Sequence, residues 1–194
     1  MAEPKILKIQ NWVKTQVSPY RFHHINGVVK AAERLAKRYR LPTLKAVTAA
    51  WLHDCAKELP KDQMGAWIKG SPFRLDLLEQ KLPALWHPHA AAAIALKKWR
   101  IRDKAVLEAI RCHTLGSPDM KPLAQMMFVA DFIEPNRQFE GVQEARKAAL
   151  KSLREGVRVK AGMTVMLLLK NKMRIHPRLL ETWNAFLTSG KNEK

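Results

Sequence analysis

The sequence predicts an all-α protein, a single helical bundle. Three observations carry this reading: glycine is scarce at 8 residues, apolar residues recur at spacings of three and four, and no stretch alternates apolar with polar for long enough to make a strand. With 194 residues, 47% hydrophobic and 27% charged, the chain is long enough to bury roughly 70% of its unfolded surface around one core. Collagen, disorder and a disulfide miniprotein are excluded by the same figures. No repeat or linker divides the sequence, so residues 1–194 read as one domain, with a core from residue 18 to 188 and a frayed tail over 189–194.

Met1–Val13 alternates charge with single apolar residues, shows no export signal and is given no element of its own. Ser18-Pro19 starts the first helix, with Ser as N-cap and Pro at the first helical position; Ile25, Val28, Ala32, Leu35, Ala36 and Tyr39 carry its stripe to Arg40. Pro42-Thr43 opens a second helix, with Leu44, Val47, Ala50 and Trp51 on its apolar face, ending near His53-Asp54. Short helices are expected around Asp62–Lys69 and Arg74–Gln80. Pro88 begins an alanine-rich helix to Trp99, and Arg102–Cys112 follows, with Ala105, Val106, Ala109 and Ile110 inside. Gly116-Ser117-Pro118 breaks the chain. Pro122 starts a helix through Met126, Met127, Ala130 and Ile133, stopped by Pro135. A long helix is expected over Val142–Met173, with Gly156 and Gly162 as candidate breaks, and a last one over Pro177–Leu187.

Lys and Arg number 35 against 17 acids, a formal charge of +18. That field attracts polyanions such as nucleotides, RNA or anionic lipid, without choosing among them. The longest aliphatic run, Val165–Leu169, is too short to span a bilayer, so no membrane partner is expected. Two cysteines, Cys55 and Cys112, suit reduced thiols and a cytoplasmic protein, with a single bridge between them left open.

The chemistry gathers at His24, His53, Asp54, His87, His113 and Asp131, each at or near a predicted helix end or on an apolar stripe. His24 lies one turn before Val28 and points the same way as the buried face. Asp131 follows Met126-Met127-Phe128-Val129-Ala130, where an unpaired carboxylate costs several kcal/mol, so a metal ion or a cationic partner is required beside it. His53-Asp54 ends an apolar helix and is followed three residues later by Lys57, a cation suited to a phosphate oxygen. Imidazole with carboxylate suits a divalent transition metal such as Fe, Mn, Co or Zn. Glu134 reads either as a hydrogen-bond partner of a metal ligand or as a helix-end carboxylate paired with Arg137. Cys55 and Cys112 read as core fillers, and Met126-Met127-Phe128 and the six tryptophans as core or pocket lining.

Taken together, His24, His53-Asp54-Cys55-Ala56-Lys57, His87, His113-Thr114-Leu115-Gly116 and Ala130-Asp131-Phe132-Ile133-Glu134-Pro135-Asn136-Arg137 resemble the HD-domain metal phosphohydrolases. Within them the sequence is similar to the YqeK group, whose members hydrolyse dinucleoside tetraphosphates symmetrically. The likeness runs from Ser18 to Arg178. It implies an HD-type bundle and a divalent metal, expected to be iron, held by His24, His53, Asp54 and Asp131. His87 and His113 would complete a second metal site or touch phosphate. Arg21, His24, Lys57, Thr114 and Arg137 would contact the nucleotide, and Arg174 and His176 would lie in the nucleoside pocket. His23 leaves the first ligand ambiguous by one register, with His24 preferred on spacing, and His87 is preferred over His89. Asp54 would orient a metal-activated water while Lys57, Arg21 and Arg137 offset charge on the phosphate. A homodimer is expected only by analogy. The rival readings are an HD hydrolase of another nucleotide and a basic RNA- or ribosome-binding module.

Overall fold

The computed structural model describes residues 3–187 and, among them, contains helices and no strand. Ten α-helices follow in order: α1 (Glu3–Gln16), α2 (Pro19–Arg38), α3 (Thr43–Leu52), α4 (Lys61–Ile68), α5 (His87–Lys97), α6 (Lys104–Cys112), α7 (Pro122–Ile133), α8 (Val142–Lys151), α9 (Leu153–Lys170) and α10 (Pro177–Ala185). The all-α expectation holds. The tail expected to fray, 189–194, lies outside the described residues.

Local chemistry sets the boundaries that matter for the site. Ser18 caps α2, its side chain accepting the Arg21 N–H, and Pro19 fills the first turn. Asp103 caps α6 by accepting the N–H groups of Ala105 and Val106. Pro122 opens α7, which ends at Ile133 just before Glu134-Pro135.

Helix α7 is the central element. Met126, Met127, Phe128, Val129 and Ala130 have no exposed surface, and α2, α6, α8 and α9 pack around it. Helix α3 lies against α2, α6 and α7, so the ends of α3 and α6 reach the same interior as the middle of α2 and the end of α7. Both thiols are free and buried, so no bridge joins Cys55 to Cys112. Among the described residues no helix is long and apolar enough to cross a membrane.

Three expectations need correction. The N-terminal stretch forms α1, because Ile9 and Val13, spaced four apart, are fully buried in the core with Ile6 and Trp12 packed against it. The helix expected over Arg74–Gln80 is instead irregular chain ending in two single 3₁₀ turns, Glu79–Lys81 and Pro83–Leu85. The long helix expected over Val142–Met173 breaks at neither glycine. It breaks at Ser152, whose extended backbone (φ −159°, ψ 156°) and hydroxyl cap α9 by accepting the Glu155 N–H. Gly156 is there for close packing: a Cβ on it would come within 3.0 Å of the Val129 side chain on α7.

Candidate metal centre

Histidines are placed at helix ends, where spare backbone carbonyls fix their rings. His53 caps the C-terminus of α3 and its Nδ1 donates to the Ala50 carbonyl at 2.7 Å. His113 does the same at the end of α6, donating to Ile110 at 2.7 Å. His87, first residue of α5, donates to Ala84 at 2.8 Å. Each partner is the carbonyl three residues earlier, and a carbonyl only accepts, so Nδ1 carries the proton and Nε2 keeps a lone pair. His24 on α2 is held differently: its Nδ1 lies 3.2 Å from Glu134 Oε1. All four rings therefore aim Nε2 at one place. That is the arrangement of metal-binding imidazoles, whose other nitrogen is fastened to a carbonyl or carboxylate.

The carboxylates meet them there. Asp131 Oδ1 is 3.2 Å from His24 Nε2 and 3.9 Å from His53 Nε2. Asp54 Oδ2 is 3.9 Å from both His24 Nε2 and His53 Nε2, while Oδ1 is 3.4 Å from the Nε2 atoms of His87 and His113. The Nε2 atoms of His87 and His113 are 3.2 Å apart, with the Thr114 hydroxyl 3.2 and 3.0 Å away. Two donor triads, His24/His53/Asp131 and His53/Asp54/His113, each fall within 4.8 Å.

Electrostatics and bonding agree that a cation fits here. Burial pushes the His53 imidazole down to about 4, despite Asp54 and Asp131, so the ring is neutral at pH 7. Burial and the Lys57 ammonium hold His87 well below its usual range. Burial on its own would raise Asp54, but His53, His113 and His87 outweigh it and keep the carboxyl well below the ordinary range. Asp131 behaves likewise, with Lys160 the largest opposing influence. The decisive detail is that the buried Nε2 atoms of His24 and His53 have no hydrogen-bond partner. The neutral His53 ring turns a lone pair toward carboxylate oxygens that repel it, and a metal ion turns that repulsion into coordination.

Cations ring the cluster. Arg21 Nη1 donates to Asp54 Oδ2 at 2.8 Å, and Arg137 Nη2 lies 3.5 Å from Asp131 Oδ1. Lys57 Nζ sits 3.1 Å from His87 Nε2, and burial lowers its pKa. Of the adjacent pair, His23 is exposed and His24 is buried beside the cluster. Thus His24, His53, Asp54, Lys57, His87, His113, Thr114, Asp131, Arg21 and Arg137 converge. Arg174 and His176 do not join them: Arg174 is exposed, and His176 Nε2 is held 3.0 Å from Asp76 Oδ2 in a separate network with Arg178, Glu79 and His89.

Two further neighbours emerge from the fold. Glu134 does not pair with Arg137: its Oε1 engages His24, its Oε2 accepts the Asn136 N–H at 2.7 Å, and Arg137 pairs with Asp131. Gly27 makes room for it, since a Cβ at that position would collide with the Glu134 carboxylate. Lys160, one basic residue among many in the C-terminal part, lies 3.0 Å from Asp131 Oδ2. Its one sequence signal is its place on the α9 face that carries Val157 and Ala161 inward.

The comparisons agree with this geometry. Residues 21–136 match the HD domain. HD domains bind divalent metal ions. The chain is 37% identical to a Bacillus subtilis protein named bis(5'-nucleosyl)-tetraphosphatase, symmetrical, over 92% of this chain and 95% of that one. A relative of the same name from Halalkalibacterium halodurans is also 37% identical, with the same coverage. The crystal structure of a Clostridium acetobutylicum protein, described as a predicted HD superfamily hydrolase involved in NAD metabolism, superposes with TM-score 0.87 at 33% identity, covering 92% of this chain and 95% of that one. The chain belongs to the HD domain family, in the branch that holds the symmetrical bis(5'-nucleosyl)-tetraphosphatases.

Proposed function

We propose that this enzyme hydrolyses dinucleoside tetraphosphates, diadenosine tetraphosphate among them, symmetrically to two nucleoside diphosphates. The observation that carries the reading is the convergence of four Nε2 lone pairs and two carboxylates, from α2, α3, α5, α6 and α7, on one buried point. The names of the relatives supply the substrate class. An inert RNA- or ribosome-binding module has no use for such a cluster.

In this reading His24, His53, Asp54 and Asp131 hold the metal, with iron favoured over Mn, Co or Zn. His87 and His113 hold a second ion or meet a phosphate oxygen. When bound, the cation acidifies water, to a pKa of about 7 in the best zinc case, and polarises phosphoryl oxygens. The chain does the rest. Asp54 accepts a hydrogen bond from the attacking water and orients it toward phosphorus. Arg21, Lys57 and Arg137 set positive charge around the tetraphosphate and offset the charge that grows on its oxygens. Thr114 positions the His87 and His113 rings and faces the same phosphate. Attack at an inner phosphorus breaks the central anhydride: water's hydroxyl joins one half, its proton goes to the other, and two diphosphates leave.

The test is a product profile on protein whose metal has been quantified. Diadenosine tetraphosphate should release ADP alone. A mixture of ATP and AMP would reject symmetrical cleavage, and preferential turnover of NAD or a mononucleotide from the same panel would reject the substrate.

A further inference from the structure

We infer that Lys160 is a positioning residue that divides the two oxygens of Asp131, holding Oδ2 so that Oδ1 alone is presented to the metal cluster. The inference rests on the metal reading of that cluster. Lys160 is 4% exposed, so water contributes almost nothing to its solvation. An ammonium has three donors. All are committed: to the His113 carbonyl at 2.8 Å, the Phe128 carbonyl at 2.7 Å and Asp131 Oδ2 at 3.0 Å. The Phe128 ring centroid lies 4.1 Å from Nζ and closes another side. Helix α9 thus delivers one tetrahedral cation into a notch formed by the end of α6 and the last turns of α7.

Two consequences follow for Asp131. Its other oxygen, Oδ1, is the one near His24 Nε2 and His53 Nε2, at 3.2 and 3.9 Å, so the two oxygens face different partners. The carboxylate is also compensated without any metal, which lets an anion sit at the end of the apolar Met126–Ala130 run while the chain folds. An arginine would not serve, because a planar fork does not meet three converging acceptors.

The experiment uses the full chain with Lys160→Met, Asp131→Asn and the double variant, each freed of metal by chelation and each reloaded with Co²⁺. Metal-free Lys160→Met should melt about 6–20 °C below the parent, as expected for a buried charge stripped of its partner. The loss should shrink in the Asp131→Asn background. Co²⁺ should raise the melting temperature of Lys160→Met by more than it raises the parent's, since the ion restores the missing charge. Freed Oδ2 should shift the Co²⁺ visible spectrum. Lys160→Gln, which keeps donors for the two carbonyls, serves if Lys160→Met does not fold, and should show the same spectral shift. Equal losses with and without Asp131 and with and without Co²⁺, together with a parental spectrum, would reduce Lys160 to packing and overturn the inference. A parent chain that takes up no Co²⁺ would overturn the metal reading and Lys160's part in it, while the metal-free pair of backgrounds would still measure the Lys160–Asp131 coupling.

Discussion

Both carboxylate clusters carry cations, but around Asp76 and Glu79 the imidazole nitrogens that face the carboxylates are paired with them, whereas around Asp54 and Asp131 the Nε2 atoms of His24 and His53 meet anionic oxygens with no hydrogen-bond partner. In the first cluster Arg178 bridges Asp76 and Glu79 at 2.8 Å each, His176 donates to Asp76, and His89 lies 3.0 Å from Glu79. Only His89 Nδ1 is left over there. Both clusters bring His and carboxylate donors within 4.8 Å of one another. Proximity of donors is therefore a poor guide to a metal. The guide is whether unpartnered nitrogens converge on the carboxylates, as His24 Nε2 and His53 Nε2 do and the lone His89 Nδ1 does not.

The largest divergence should come from matched substitutions. Asp54→Asn should cut turnover by about 1,000-fold while leaving circular dichroism near that of the parent. Asp76→Asn should leave turnover nearly intact and lower melting. Retained turnover in Asp54→Asn would remove its assigned role. Next, Glu134→Gln and Gly27→Ala both loosen the His24 ring and should weaken metal affinity by about 10–100-fold, read by chelator competition. Arg178→Met leaves two carboxylates without a counter-cation. It should cost roughly 2–3 kcal/mol of stability, less than a fully buried pair because Arg178 is partly exposed, and the loss should be the same with or without metal.

The smallest and most specific signal is in acid titration of the metal-free protein. The folded His53 pKa lies below its ordinary 6.5, near 4, so the unfolded chain takes up the proton first. The His53 contribution is complete above about 6.5 and is lost toward pH 4, with a slope of at most about 1.4 kcal/mol per unit from this one group. Burial would raise Glu79, but His89 and the Asp76 N–H bring it from 4.5 down to about 2, so its contribution is complete above 4.5 and is lost toward pH 2. Thermal melts across pH should show both windows. His53→Gln should shrink the upper window, which His87 shares, and Glu79→Gln the lower one, which Asp54, Asp76 and Asp131 share.

Much of the site was legible because its residues break local rules. Asp131 after five apolar residues demanded compensation, and His53-Asp54 closing an apolar helix pointed inward. Helix starts were legible where Pro follows a capping residue, as at Ser18-Pro19. What escaped was set by distant packing. Nothing in Met1–Val13 announces that Ile9 and Val13 meet the core, and the Arg74–Gln80 segment is ordered by Arg178, roughly a hundred residues away, instead of by its own helical bonds. Lys160 was hidden by its type: a lysine on a helix normally faces water, and only the depth of α9 against α7 turns this one inward.

Three of the four rings are tied to their own backbone within three residues, at 2.7–2.8 Å. Their orientation is thus complete as soon as each helix end forms and docks, before any ion arrives. The socket is cast by folding, and an ion held there would be a removable guest. Stripping and exchanging it should be possible on the native protein, with one metal replacing another at no cost in refolding.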